Sequence, residues 1–167
     1  MENIYLVGFM GTGKSAVGKK LAARLNVRFL DLDALIEEKE GRKIVDIFRE
    51  NGEPYFRKLE KENLKEISTK DNLVVACGGG IVLDRENIAL MKKTGRMVCL
   101  RARTEVILER VKRYKHRPLL NVEDKEKAIL EILKVRQPLY DLAHFSIDTS
   151  DLSIEAVVEK ILAHLNK

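Results

Sequence analysis

Gly8-Phe9-Met10-Gly11-Thr12-Gly13-Lys14-Ser15 matches G-x-x-x-x-G-K-[ST], and it stands between an apolar run and the start of a helical pattern. Each residue type there has a physical task. Glycines let the backbone turn back on itself and approach an anion, so that successive N–H groups and the helix N-terminus point at phosphate oxygens. Lys14 can reach β- and γ-phosphates, and the Ser15 hydroxyl is placed to ligate Mg²⁺. Gly11, Thr12, Gly13, Lys14, Ser15 and Ala16 are therefore expected to hold ATP, with Lys14 also serving catalysis.

Asp31 and Asp33 lie near the end of the segment RFLDLD, and the period of a strand would put both carboxylates on one face. In a parallel α/β sheet the ligand crevice lies beyond the carboxyl ends of the strands. Asp31 is accordingly expected to hold Mg²⁺ together with Ser15, and Asp33 to take the proton of the hydroxyl being phosphorylated. The competing reading is that one of them caps a helix starting near Ala34.

The run NLVVAC ends in Gly78-Gly79-Gly80, with no aspartate at its end. Glycines there leave room for a ligand's bulk or another backbone. The missing aspartate also suits a metal held from the preceding strand. Arg57, Arg117 and Arg136 stand apart from the mixed-charge background: Glu60 lies one turn after Arg57 and can orient it, Arg117 precedes Pro118, and Arg136 precedes Gln137-Pro138 at an expected helix end. The planar fork of arginine suits two-point binding of a carboxylate or phosphate.

These residues need elements to bring them together. Strand-length apolar runs recur at residues 3–8, 28–33, 72–77, 96–101 and 144–148, with helical patterns between them. Val17, Leu21 and Leu25 line one face of a helix over Lys14–Asn26; further helices are expected over Ile44–Glu50, from Pro54, from the cap Asp84 to just before Gly95, and from the cap Ser153. Nearly continuous apolar strands alternating with helices predict a parallel sheet covered on both faces, in a single domain spanning residues 1–167. The charged stretch Lys112–Lys127 reads as a mobile flap.

Composition narrows the function classes. With 45% hydrophobic and 34% charged residues the chain is a globular protein, and no apolar run approaches the ~20 residues of a spanning helix. The N-terminus lacks the pattern of a signal peptide, so a cytoplasmic location is expected. Cys77 and Cys99 read as buried thiols without metal or redox spacing. A net charge of +5 spread over mixed faces, without an aromatic stacking pattern, favours small anionic ligands over nucleic acid or a membrane.

The same pieces in the same order resemble the shikimate kinase family along essentially the whole chain: the loop from Gly8 to Ser15, Asp31-x-Asp33, Phe56-Arg57-x-x-Glu60, Gly78 to Gly80, Arg117-Pro118-Leu119-Leu120 and Val135-Arg136-x-Pro138-Leu139-Tyr140. The resemblance implies a P-loop kinase of the nucleoside-monophosphate-kinase fold type, with a five-stranded parallel sheet, a lid at roughly 112–127 and substrate-binding helices at roughly 33–69. It implies an enzyme that uses ATP and Mg²⁺ to phosphorylate the 3-hydroxyl of shikimate; a monomer is expected. Asp33, Arg57, Gly79, Gly80 and Arg136 would bind shikimate, with the two arginines on its carboxylate. Arg117 would act on the phosphates from the lid, and Arg110 and Leu152 would flank the adenine. A related kinase acting on gluconate is the alternative among enzymes. A GTPase switch is disfavoured, because Asn121-Val122-Glu123-Asp124 lacks the lysine of N-K-x-D.

Overall fold

The computed structural model describes residues 1–112 and 123–167. Strand β1 (Asn3–Val7) enters the loop that leads to α1 (Lys14–Leu25), followed by β2 (Arg28–Asp31), α2 (Leu32–Glu40), α3 (Ile44–Asn51) and α4 (Glu53–Ile67). The chain continues through β3 (Leu73–Ala76), a 3-10 turn (Ile81–Leu83), α5 (Arg85–Thr94), β4 (Gly95–Arg101) and α6 (Thr104–Val111). Beyond residue 122 come α7 (Lys125–Tyr140), β5 (Phe145–Asp148) and α8 (Ile154–Leu165).

All pairings in the sheet are parallel, in the order β2-β3-β1-β4-β5. Alternate side chains of β1 serve two cores, as a period of two requires. Ile4 and Leu6 pack with Val17 and Leu21 of α1 and Val157, Val158 and Ile161 of α8. Tyr5 and Val7 pack with residues of α2 to α7, among them Ile36, Phe56, Met91 and Ile107. Burial on both faces explains why the inner strands β1, β3 and β4 read as nearly unbroken apolar runs, while the edge strands β2 and β5 carry exposed polar residues.

This strand order positions the site. From β1 the chain leaves to the β2 side, and from β3 it crosses to the β4 side, so a crevice opens between the carboxyl ends of these neighbouring strands. Residues 8–13 follow β1 and Gly78–Gly80 follow β3, on either side of that crevice.

The expected caps are present: the Asp84 side chain accepts from Glu86 N at 2.9 Å and the Ser153 hydroxyl from Ala156 N at 3.1 Å. Three expectations need correction. Segment RFLDLD is a strand only to Asp31, because Leu32 is taken into the core as the first residue of α2, the helix that the competing reading started near Ala34. Helix α7 runs through Pro138 to Tyr140, so Arg136 lies within the helix; proline near the C-terminal turn removes one N–H without ending it. Lys125–Lys127, assigned to the flap, form the first turn of α7, capped by Asp124, whose side chain accepts from Lys127 N at 3.1 Å. Residues 113–122, with Arg117, lie outside the described residues. Cys77 and Cys99 are free and buried, and burial raises the pKa of both thiols, Cys99 to about 11. Among the described residues no helix is long and apolar enough to cross a membrane.

Candidate active site

The loop after β1 is held by its own polar groups. Gly8 has a φ of 139°, and a Cβ there would fall 2.2 Å from the Leu100 carbonyl, so only glycine lets the loop lie this close to β4. The Thr12 hydroxyl donates to the Phe9 carbonyl at 2.7 Å. The Lys14 ammonium reaches back across the loop to the carbonyls of Gly8 and Phe9, at 2.5 and 3.0 Å. Gly13, in the left-handed region at φ 98°, starts α1 without a side-chain cap, which leaves the first N–H groups of the helix directed at the crevice.

Asp31 and Asp33 reach that crevice by a different route from the one expected. Asp31 is the N-cap of α2, with Oδ1 accepting from Ala34 N at 3.1 Å and Oδ2 accepting from the Ser15 hydroxyl at 2.7 Å. Asp33 lies in the first turn of α2. The carboxylates are brought together by the strand-to-helix junction and not by strand periodicity. The competing capping reading therefore holds for Asp31, without taking it out of the site.

The triple glycine makes room chiefly for side chains of the protein itself. A Cβ on Gly78 would meet Asp33 Oδ1 at 2.7 Å and Glu60 Oε2 at 3.0 Å. One on Gly79 would lie 3.2 Å from Arg136 Nη1, and one on Gly80 would fall 2.3–2.4 Å from three atoms of the Arg57 guanidinium, which rests face-on against it. Tyr140 donates to the Gly79 carbonyl at 2.5 Å, and burial holds this phenol protonated, its pKa pushed up to about 12. Because a trans peptide points C=O and N–H in opposite directions, that bond also fixes the direction of the Gly80 N–H.

Arg57 is oriented from within α4, donating to Glu53 through Nε and Nη2 at 3.2 and 3.1 Å and to Glu60 through Nη1 at 3.0 Å. Its guanidinium also lies 5.2 Å from the Phe56 ring centre. The Glu60 side chain is 1% exposed, and its Oε2 has no hydrogen-bond partner among the described residues. Burial pushes the Glu60 carboxyl up to about 7; Arg57 opposes that rise and Asp33 adds to it.

A cavity of about 910 Å³ joins these groups, lined by Gly11, Gly13, Lys14, Ser15, Ala16, Asp31, Asp33, Arg57, Glu60, Gly78, Gly79, Gly80 and Arg136. Thr12, although expected in the nucleotide site, is buried beneath the loop at 1% exposure. Arg110 and Leu152 lie outside the cavity lining: Arg110 donates to the Gly11 carbonyl at 2.9 Å, and Leu152 packs partly buried against the α1–α8 core. Sequence reasoning missed Glu37, Lys43, Ile44, Val45 and Phe48, which line the cavity from α2 and α3. It also missed Gly78 and the buried position of Glu60 beside Asp33. The period of α4, which places Glu60 one turn from Arg57 on an inward face with Phe56, was the available signal.

A family model described as Shikimate kinase matches residues 10–166. The chain is 49% identical over 162 residues to the shikimate kinase of Caldanaerobacter subterraneus subsp. tengcongensis, covering 97% of this chain and 95% of the relative. Its fold matches that of shikimate kinase from Acinetobacter baumannii in complex with shikimate, with a TM-score of 0.96, 41% identity and coverage of 99% and 93% of the two chains. A gluconokinase from Sinorhizobium meliloti 1021 shares the fold alone, at 19% identity, a TM-score of 0.64 and coverage of 99% and 91%. Match and coverage along nearly the full length, together with a phosphate loop facing two carboxylates and two arginines, establish that the chain belongs to the shikimate kinase family.

Proposed function

We propose that this chain transfers the γ-phosphoryl group of ATP to the 3-hydroxyl of shikimate, with the chemistry carried by the residues around the cavity described above. The observation that carries the reading is the sharing of that cavity by Lys14 and the glycine loop on one side and Asp33, Arg57 and Arg136 on the other. An anion donor and an anionic alcohol acceptor can thus meet in one crevice. The loop amides and Lys14 hold the β- and γ-phosphates where negative charge gathers in the transition state. Arg57 uses three of its five N–H donors on Glu53 and Glu60, and the other two engage the shikimate carboxylate together with Arg136. So anchored, the ring presents its 3-hydroxyl to Asp33, which takes the proton as the oxygen bonds to the γ-phosphorus and the bond to the bridging oxygen breaks, releasing ADP.

Ser15 and Asp31 would hold Mg²⁺. Their hydroxyl and carboxylate oxygens already lie 2.7 Å apart, and among the described residues no group of three or more acidic, His or Cys side chains forms a fuller cage. That donor set suits a cation which keeps waters and phosphate oxygens as its other ligands. When bound with the nucleotide, the ion neutralises charge on the β- and γ-oxygens. Arg110 and Leu152 are assigned to the adenine, and Arg117 to the phosphates, by resemblance alone.

The test is a coupled ADP-release assay with shikimate, gluconate or no acceptor. Release should require shikimate, and equal or faster release with gluconate would overturn the substrate assignment.

A further inference from the structure

We infer that Thr149, which touches no part of the cavity, is a positioning residue that sets the direction of the phosphate-binding amides. Thr149 follows β5 and is 3% exposed. Its backbone N–H donates to the Arg101 carbonyl at 2.8 Å, which ties it to the end of β4. From that anchor its hydroxyl reaches the Thr12 carbonyl at 2.9 Å and the Arg101 carbonyl at 3.1 Å, and it accepts from Arg110 Nη1 at 3.1 Å. Arg110 Nη1 also donates to the Gly11 carbonyl at 2.9 Å, while Nη2 donates to the Thr149 carbonyl at 3.1 Å.

Two consecutive carbonyls of the loop, Gly11 and Thr12, are thus held from behind by one buried hydroxyl and one guanidinium. In a trans peptide the N–H lies opposite the C=O. Pinning the Gly11 carbonyl therefore turns the Thr12 N–H away from Arg110, and pinning the Thr12 carbonyl turns the Gly13 N–H away from Thr149. Both amides then face the cavity, where an anion nest needs them. The position of α6 agrees with this: a Cβ on Gly11 would lie 3.2 Å from Val111 Cγ1, so the helix that carries Arg110 packs directly on the loop. Without the clamp the loop would have to order these peptides at the moment of binding, which costs affinity.

The inference rests on the reading that this loop binds the phosphates of ATP, and binding of Mg·ADP to the unaltered protein tests that reading by itself. The clamp is tested by calorimetric titration of Thr149→Val and Thr149→Ser with Mg·ADP, inorganic tripolyphosphate and shikimate. Loss of the buried hydroxyl should weaken Mg·ADP and tripolyphosphate by a similar factor of about ten or more in Thr149→Val. The KM for ATP should rise in parallel, with shikimate affinity within about twofold of native. Thr149→Ser keeps the donor and should stay within about threefold of native for every ligand. Native affinity in Thr149→Val, equal losses for shikimate and nucleotide, or a loss for Mg·ADP without one for tripolyphosphate would each overturn the clamp. If Thr149→Val does not fold, Thr149→Ser decides: a loss of about tenfold there would mean that the methyl group, not the hydroxyl, matters.

Discussion

At the residue scale the two carboxylates differ in their surroundings, and the proposed division of roles between them follows from that difference. Asp31 is committed to Ser15 and to capping α2, whereas Asp33 faces Gly78 beside Glu60. Asparagine caps a helix about as well as aspartate, so Asp31→Asn should fold normally. Its activity should recover in part when Mg²⁺ is raised, whereas Asp33→Asn should lose on the order of a hundredfold in turnover with Mg·ATP binding near native, and extra metal should not rescue it. Equal rescue of both variants would show that the division is wrong. In the proposed reading the arginines carry substrate identity. In a partly dry pocket, leaving a carboxylate poorly paired costs about 2–5 kcal/mol. Arg57→Ala should therefore weaken shikimate by that amount and leave ATP affinity nearly intact. An analogue with a neutral hydroxymethyl in place of the carboxylate should bind weakly to the native protein and lose little more in Arg57→Ala, a double cycle that separates the charge contact from damage to the fold. Equal losses for acid and neutral analogue would make Arg57 structural.

At the scale of elements, the close seating of α1 on β2 keeps the phosphate loop in place. Gly18 lies inside α1, where glycine costs ~1 kcal/mol relative to alanine, yet a Cβ there would come 2.5 Å from Phe29 Cε2. Packing outweighs propensity at this position. Gly18→Ala should lower stability by about 1–3 kcal/mol despite its better helix propensity, because a well-packed core resists one more methyl group. Chemical denaturation checks this, and a stabilised variant would mean that Phe29 yields freely. The elements also show where period-based reading runs out. Leu32 fits an alternating strand pattern after Leu30 as well as it fits the first residue of a buried helix, and only its seat in the core separates the two. At Pro138 the local rule for ending a helix gives way to the packing of Tyr140 under Gly79.

At the scale of the whole molecule, Glu60 couples the site to the stability of the fold. It sits where α4, the first turn of α2 and the turn after β3 converge, faced by Arg57, Asp33 and Arg136. Its carboxyl is raised from 4.5 to about 7, so the folded state holds a proton that the unfolded chain releases. The contribution of Glu60 is therefore fully present below pH 4.5 and is lost as pH rises through about 7. Glu60→Gln removes this titration. The Tm of the native protein relative to Glu60→Gln should fall between pH 5 and pH 8 by roughly 5 °C. A pH-independent difference would show that Glu60 is ionised throughout.

Much of this was legible in the residues themselves. The glycine loop with Lys14 and Ser15 announces phosphate binding because its geometry is local: a turn, a run of amides and a helix start all lie within one short segment. The parallel α/β sheet was equally legible, since strands buried on both faces must be apolar throughout. What only the tertiary structure decided depends on groups far apart in the chain. That Gly80 seats the Arg57 guanidinium, that Glu60 is buried beside Asp33, and that Thr149 reaches back to the Thr12 carbonyl follow from the strand order β2-β3-β1-β4-β5. Sequence periodicity states which face of an element is apolar. It does not state which buried polar atom will meet which carbonyl across the crevice, because that is set by how the elements pack.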